Sequence, residues 1–506
     1  MTRFAGVCGC MLIALALAGA AQGSLAVGIT EDAGKATDGG ASFFATMNDV
    51  GLTVNRVSVT WDPSRPDAIP GQTEIASWLP QAQTAGVRIM FAVSAAHSRD
   101  LTSSPSAPAQ FADFLRRVAR AFPQVKDFVI GNEPNVSYFW QPQFDPAGKP
   151  LSAAAYEPVL ARSYDALKAV DPTINVIGVG LSPRGNDNPN APSNRSRSPV
   201  RFLHDLGAAY RKSGRTKPLM DELAFHPYPG SSKDALSKGY SWPNAGAVNL
   251  DRIKQAVWDA FHGTAQATFA EPGVKRFAKP LVFELDEVGW EVAIPPALSG
   301  FYFGTEKSPV TDEATQAQIY SDLIKVLSCD ASVRSLNFFH LMDERNLARW
   351  QSGLVRADGS HRPSFDAVKQ TIAQTKGNCQ DEQTVWVHNP RVVLPFSAWG
   401  SRRSFPAKRK QWSFLAGAGE EAAFRAGIFK ARTTRKAIAR ALAKGRPRPV
   451  VSSAGLIRAT GRVVYFPRRR LKGGRYVYAI RLAATMNPQR ASVLVSPAFR
   501  VGRARK

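Results

Sequence analysis

Glu133 and Glu287 are the two side chains of this 506-residue chain whose settings point most directly to shared chemistry. Glu133 stands in Gly131-Asn132-Glu133-Pro134-Asn135, immediately after the apolar run Phe128-Val129-Ile130. Glu287 stands near the end of a second apolar run, in Pro280-Leu281-Val282-Phe283-Glu284-Leu285-Asp286-Glu287-Val288-Gly289-Trp290. A carboxyl at the end of each of two strands is the minimum equipment for cleaving a glycosidic bond. One protonates the leaving oxygen, and the other attacks or stabilises the anomeric carbon.

Such a pair needs a scaffold that brings strand ends to one face. Between Val27 and about Lys376, short β-branched runs alternate with longer helical patterns, as expected of βα units around a parallel sheet. Eight strands can be counted, beginning with Val27 to Thr30, Val54 to Thr60 and Arg88 to Ser94. Asp127 to Gly131, Asn175 to Val179, Glu222 to His226, Leu281 to Leu285 and Leu336 to Phe339 complete the set. Helical stretches such as Pro108 to Ala121, Ala154 to Val170, Pro199 to Ser213, Leu250 to Phe261 and Asp312 to Leu327 separate them. Eight such units favour a (β/α)8 TIM barrel over an open doubly wound sheet, and no glycine-rich nucleotide fingerprint follows the first strand. The polar, turn-rich loop Pro183 to Ser198 then follows the fifth strand on the active face.

Residues 1 to 26 combine Arg3, the apolar run Met11 to Leu17 and small residues around Ala18 to Gly23, the layout of a cleaved secretory signal. A secreted, extracellular location is therefore expected. Cys8 and Cys10 would leave with that segment, so Cys329 and Cys379 are left to meet an oxidising compartment. Cys329 ends the helix before the eighth strand and Cys379 follows the helix after it, so a disulfide between them is expected.

Charge divides the chain in two. From Asp381 to Lys506 there are 28 Lys and Arg against 4 acids, whereas the first 380 residues hold 37 basic and 36 acidic side chains. The expected domains are a signal over 1–26, a near-neutral barrel over 27–380, and a basic, β-rich, sandwich-like domain over 381–506. In the last, strands are expected at Val385 to Leu394, Arg462 to Phe466, Arg475 to Leu482 and Ala491 to Val501, with Glu420 to Lys444 more helical. The excess charge would favour anionic cell-wall polymers or acidic polysaccharide. Nucleic acid would meet the same field only non-specifically, because no nucleic-acid-binding motif is present.

Three motifs in order carry a resemblance: Asn132-Glu133-Pro134-Asn135 with Phe139-Trp140, then His226-Pro227-Tyr228, then Glu287-Val288-Gly289-Trp290. Over about residues 27–375 the chain resembles the retaining glycoside hydrolases of clan A, families 39 and 5 in particular. The resemblance implies hydrolysis of O-glycosidic bonds of an oligo- or polysaccharide by double displacement, without cofactor. It implies Glu133 as acid/base and Glu287 as nucleophile, Asn132 on the sugar 2-hydroxyl, Arg56 fixing Glu287, and His226 and Tyr228 supporting the carboxylates. The alternative is a non-catalytic carbohydrate-binding or wall-associated protein on a degenerate barrel.

Within the seventh strand, Glu284 is the other candidate nucleophile. Alternation points Glu284 and Asp286 one way and Glu287 the other. Glu31 and Asp32, after the first strand, could also reach the barrel mouth, although a capping role is favoured. Trp61, Trp140, Trp290 and Trp350 each follow a strand on the active face, where a sugar could stack on an indole. Trp290 and Trp140 rank ahead of Trp61 and Trp350, for which core packing serves as well. His97, after the third strand, is a further candidate for a sugar hydroxyl. The histidines and cysteines show no metal-binding spacing, so no metal is expected.

Overall fold

The computed structural model describes residues 24–271, 279–307, 309–380, 395–399, 403–458 and 461–502. Nearly all of the expected secretory segment and the expected strand Val385 to Leu394 lie outside the described residues. Among the described residues, no helix is long and apolar enough to cross a membrane.

Eight strands form a closed barrel: β1 (Ala26–Thr30), β2 (Val54–Trp61), β3 (Arg88–Ala95), β4 (Asp127–Ile130), β5 (Asn175–Leu181), β6 (Glu222–Phe225), β7 (Phe283–Val288) and β8 (Val333–Phe339). Neighbours are parallel, and the barrel closes where Ala26 of β1 meets Ser335 of β8. Following the strands in turn are α1 (Ala41–Val50), α2 (Gln72–Thr84), α3 (Ala107–Ala121), α4 (Ser152–Val170), α5 (Pro199–Ser213), α6 (Leu250–Phe261), α7 (Glu313–Leu327) and α8 (Pro363–Thr375). Each helix buries one stripe on the barrel; α3 does so with Phe111, Phe114, Leu115 and Val118 at helical spacing. Covered on both faces, β4 is buried throughout. The barrel starts slightly before the expected boundary, because Leu25 is buried and its N–H donates to Gly377 O at 2.8 Å.

β7 runs from Phe283 to Val288, later than the expected Leu281 to Leu285. Three acids inside a strand read as its end, yet all three are buried here because each has cationic partners. Glu284 lies at the barrel floor, bidentate to Arg88 at 3.1 Å from each nitrogen. Arg334 and Lys279 hold Glu222 there at 2.6 and 3.3 Å, and Arg88 also reaches Asp127 at 3.3 Å. Three carboxylates thus meet three cations. Glu284 therefore faces the end of the barrel opposite Glu133.

The disulfide between Cys329 and Cys379 is present, with Cα atoms 4.5 Å apart and a sequence separation of 50. It staples α7 to the segment after α8 at the floor. Closing a loop of that length removes unfolded-state entropy worth about 4 kcal/mol at most. Replacing both cysteines by alanine should therefore lower the unfolding free energy, measured by denaturant titration, by up to that amount.

The second domain comprises β9 (Pro395–Ala398), β10 (Ser404–Phe405), β11 (Ser413–Ala418), β12 (Ala422–Lys430), α9 (Arg435–Lys444), β13 (Val451–Ile457), β14 (Arg462–Tyr465), β15 (Gly474–Ala484), β16 (Ala491–Val495) and β17 (Phe499–Val501). One sheet has the order β10-β17-β15-β12-β13 with β16 beside β15, and the other is β14-β11-β9. Trp412, Phe414, Phe466, Tyr478 and Phe499 pack between them, the inner faces of a sandwich. The helical expectation for Glu420 to Lys444 holds only from Arg435. Ala422 to Lys430 is a strand instead, because Ala422, Phe424 and Ala426 alternate into the core and pair with β13 and β15. Arg490, almost fully buried, joins the domains by pairing with Asp259 of α6 at 2.7 Å and with Glu420.

Candidate active site

A cleft of about 1010 Å³ opens at the C-terminal ends of the barrel strands, with Glu133 and Glu287 both in its wall. Glu133 enters it from a sharp exit of β4. Gly131 takes φ 82° and Glu133 itself φ 37°, a conformation unusual for a residue with a side chain. The Glu133 N–H donates to Gly180 O at 2.8 Å, which holds the turn. Glu287 arrives from β7, where the pairing register with β8 shifts between Leu285 and Val288. That irregularity lets adjacent residues Asp286 and Glu287 both serve the site, which strict alternation would forbid.

His226, at the end of β6 and fully buried, stands between the carboxyls. Its Nδ1 lies 3.0 Å from Glu133 Oε1 and 3.6 Å from Glu287 Oε2, so those two oxygens are no farther apart than the sum of these distances. Its Nε2 faces Asp286 Oδ1 at 3.3 Å. Arg56 of β2 pairs through Nε with Asp286 at 2.9 Å and through Nη1 with Glu287 at 2.9 Å. Its Nη2 donates to Asn132 Oδ1 at 2.7 Å. The amide nitrogen of Asn132 makes no hydrogen bond among the described residues and is left to donate into the cleft. Tyr228 donates its hydroxyl to Glu287 Oε2 at 3.1 Å.

The ionisable groups of the site are shifted in different directions. Burial pushes the Glu133 carboxyl above the usual range, Glu287 adds repulsion, and the His226 hydrogen bond opposes both. Burial would also raise Asp286, but His226 and Arg56 outweigh it and hold Asp286 low. For His226, burial is overcome by Glu287 and Asp286, which push the imidazole up to about 10. Tyr228 is raised well above its ordinary value by burial and by the charge of Glu287, so it stays a donor. Arg56 and His226 thus stand against three carboxyls, Glu133, Asp286 and Glu287.

The structure brings Glu133, Glu287, Asn132, Arg56, His226 and Tyr228 together. Trp140 is in the cleft wall but nearly buried, edge-on to Tyr156. His97 is on the exposed rim, 3.3 Å from Asp100. Trp61 is not at the cleft. Arg56, Ser58 and Thr60 of β2 line the cleft, so the next residue turns outward, where Trp61 packs on Phe111. Trp290 is not there either. It is buried beside Tyr320, its Nε1 donating to Asp234 O at 3.1 Å. The aromatic surface comes instead from Trp350, whose ring lies 4.8 Å from Tyr228 and 5.5 Å from Phe339. Phe339 ends β8 and gave no signal in the sequence beyond its place there.

No protein-family description matches the chain, and no curated protein matches it either. Solved structures similar to it include a family 39 glycoside hydrolase from the gut symbiont Bacteroides cellulosilyticus WH2, at 13% identity and TM-score 0.49, covering 88% of this chain and 81% of that one. A second is a GH5_18 protein from Streptomyces cattleya in complex with GlcNAc, at 16% identity and TM-score 0.46, covering 76% of this chain and 84% of that one. A third is a glucosidase from Croceicoccus marinus, at 13% identity and TM-score 0.44, covering 89% and 93%.

Proposed function

We propose that the protein is a glycoside hydrolase that cleaves O-glycosidic bonds of an oligo- or polysaccharide by double displacement. The observation that carries this reading is the pair Glu133 and Glu287 bridged by one imidazole, with the first raised by burial and the second held by Arg56 and Tyr228. In the first step Glu287 attacks the anomeric carbon while Glu133 gives its proton to the leaving oxygen. In the second, Glu133 takes a proton from water as that water displaces Glu287, and the anomeric configuration is restored. The His226 bridge caps the separation of the two oxygens near the lower edge of the roughly 6.5–9.5 Å spacing of inverting sites, which favours the closer, retaining arrangement of about 5–5.5 Å. Asn132 would hold the 2-hydroxyl, and Trp350 with Phe339 would offer an apolar face to the ring.

The test is a screen of aryl glycosides and of plant, microbial and wall polysaccharides against the wild type and Glu287→Gln. Turnover by the wild type alone supports the reading; equal release by both proteins would refute it.

For the second domain we propose an anionic polymer as partner, on the ground of its charge. Among the described residues of that domain the side-chain carboxylates are Glu420 and Glu421, and both are engaged at the barrel, Glu420 through Arg490 and Glu421 toward Arg201 at 3.9 Å. The remaining charged surface is cationic, and α9 alone exposes Arg435, Lys436, Arg440 and Lys444. This face would hold an exported enzyme on anionic wall polymer or acidic polysaccharide. Replacing those four residues with glutamine should weaken retention on a polyuronate column several-fold at low ionic strength and leave turnover of a small aryl glycoside unchanged. The difference should vanish at high salt.

A further inference from the structure

The polar loop after β5, residues 183–198, takes no part in the steps above; its tip is exposed, but its returning arm at 196–198 is buried. It folds back on itself at Gly185, where an added Cβ would lie 2.1 Å from the carbonyl carbon of Arg197. Inside the fold-back sits Asp187, at φ 52° and with only 9% of its side chain exposed. Asp187 holds Arg197 Nη1 and Arg201 Nη1, each at 3.1 Å, and accepts the Ser198 N–H at 3.0 Å.

The returning arm of the loop runs against the residues that follow Glu133. The Arg197 N–H donates to Asn135 O at 2.8 Å, and the Ser137 N–H donates to Arg195 O at 3.0 Å. Fully buried Asn135 returns its amide to Arg197 O at 3.0 Å and accepts the Ser182 N–H at 3.0 Å. The segment from Glu133 to Ser137 is therefore backed by a strip that Asp187 holds from inside the fold-back, with Asp205 taking Arg197 Nε and Nη2 at 3.0 and 2.6 Å from the other side.

We propose that Asp187 is a positioning residue for the Glu133 carboxyl, acting through Arg197 and Asn135. This rests on the reading of Glu133 as the general acid. Loss of the clamp would let the β4 exit relax from its left-handed turn. The proton donor would move while Glu287, on β7, stayed in place.

The test is Asp187→Ala assayed on aryl glycosides of one sugar with leaving groups from good to poor, beside wild type and Glu133→Gln. A displacement near 1 Å costs up to ~100-fold in a reaction that depends on the displaced group. We expect kcat/KM, which reports the first step, to fall about 10- to 100-fold on the poorest leaving group and to stay within about twofold on a dinitrophenyl glycoside, because in that step only the former needs the acid. The alkaline limb of the pH profile should shift. Equal losses on all leaving groups, or none, with a superimposable pH profile would overturn the proposal. If Glu133→Gln itself showed no leaving-group dependence, the failure would lie with Glu133 as acid instead. Should Asp187→Ala not fold, Asp187→Asn and Arg197→Lys carry the same comparison with the loop's volume preserved.

Discussion

Replacing Glu287 by alanine is expected to stop turnover of every glycoside the protein cleaves, a loss on the order of 10⁴- to 10⁶-fold in kcat, as for removal of other enzymic nucleophiles. The reason is specific to its position. Glu287 is ion-paired to Arg56 at 2.9 Å and accepts from Tyr228 at 3.1 Å, and this support poises one carboxylate oxygen for attack. Good leaving groups cannot rescue the loss, because the first step lacks its nucleophile whatever departs. A small anion such as azide, filling the space left by the side chain, should restore turnover and give a glycosyl azide of inverted configuration. Normal activity in Glu287→Ala, measured by release of an aryl alcohol, would remove the residue from the reaction.

Replacing Glu133 by alanine should fail differently. Substrates with poor leaving groups should lose about 10²- to 10⁴-fold, the usual worth of general acid catalysis. Dinitrophenyl glycosides should still form the intermediate quickly, and its slow hydrolysis should then limit turnover. Azide should accelerate that second step and yield a product of retained configuration. The pH profile carries a separate signature. Because burial and the charge of Glu287 raise the Glu133 carboxyl, activity should persist above the ordinary carboxylate range and fall on the alkaline side as Glu133 loses its proton. In Glu133→Ala that alkaline limb should disappear. A limb that survived unchanged would belong to another group.

The barrel was legible in the sequence because its signals are periodic. Pro199 to Ser213 and Leu250 to Phe261 read as helices at their observed bounds, since each carries an apolar stripe and clear stops. The core of the site was legible because its motifs sit at strand ends. What was not legible depends on partners far away in the chain. Leu281 to Leu285 was read as the strand because acids end strands in isolation; Arg88 and Arg56, both remote in sequence, carry β7 on through Glu284, Asp286 and Glu287. Trp61 and Trp290 stood at the right ends of strands, but the direction of a side chain is set by strand parity and loop path. Trp350 reaches the cleft only because the long loop after β8 folds back over Tyr228. Ala422 to Lys430 looks helical by its alanines, and pairing with β13 and β15 overrides that preference. Asp187 looked like an ordinary turn residue until the fold brought Arg197 and Arg201 to it.

The account stands most directly on a covalent bond between sugar and Glu287. Wild-type protein would be incubated with 2-deoxy-2-fluoro dinitrophenyl glycosides of the sugar identified in the screen, which form the intermediate and then hydrolyse slowly, and peptides from the inactivated protein would be sequenced by mass spectrometry. The predicted result is one fluoroglycosyl group per chain, on the carboxylate of Glu287. A label on Glu133, Asp286 or any other residue, or rapid turnover with an inverted product and no label, would contradict it.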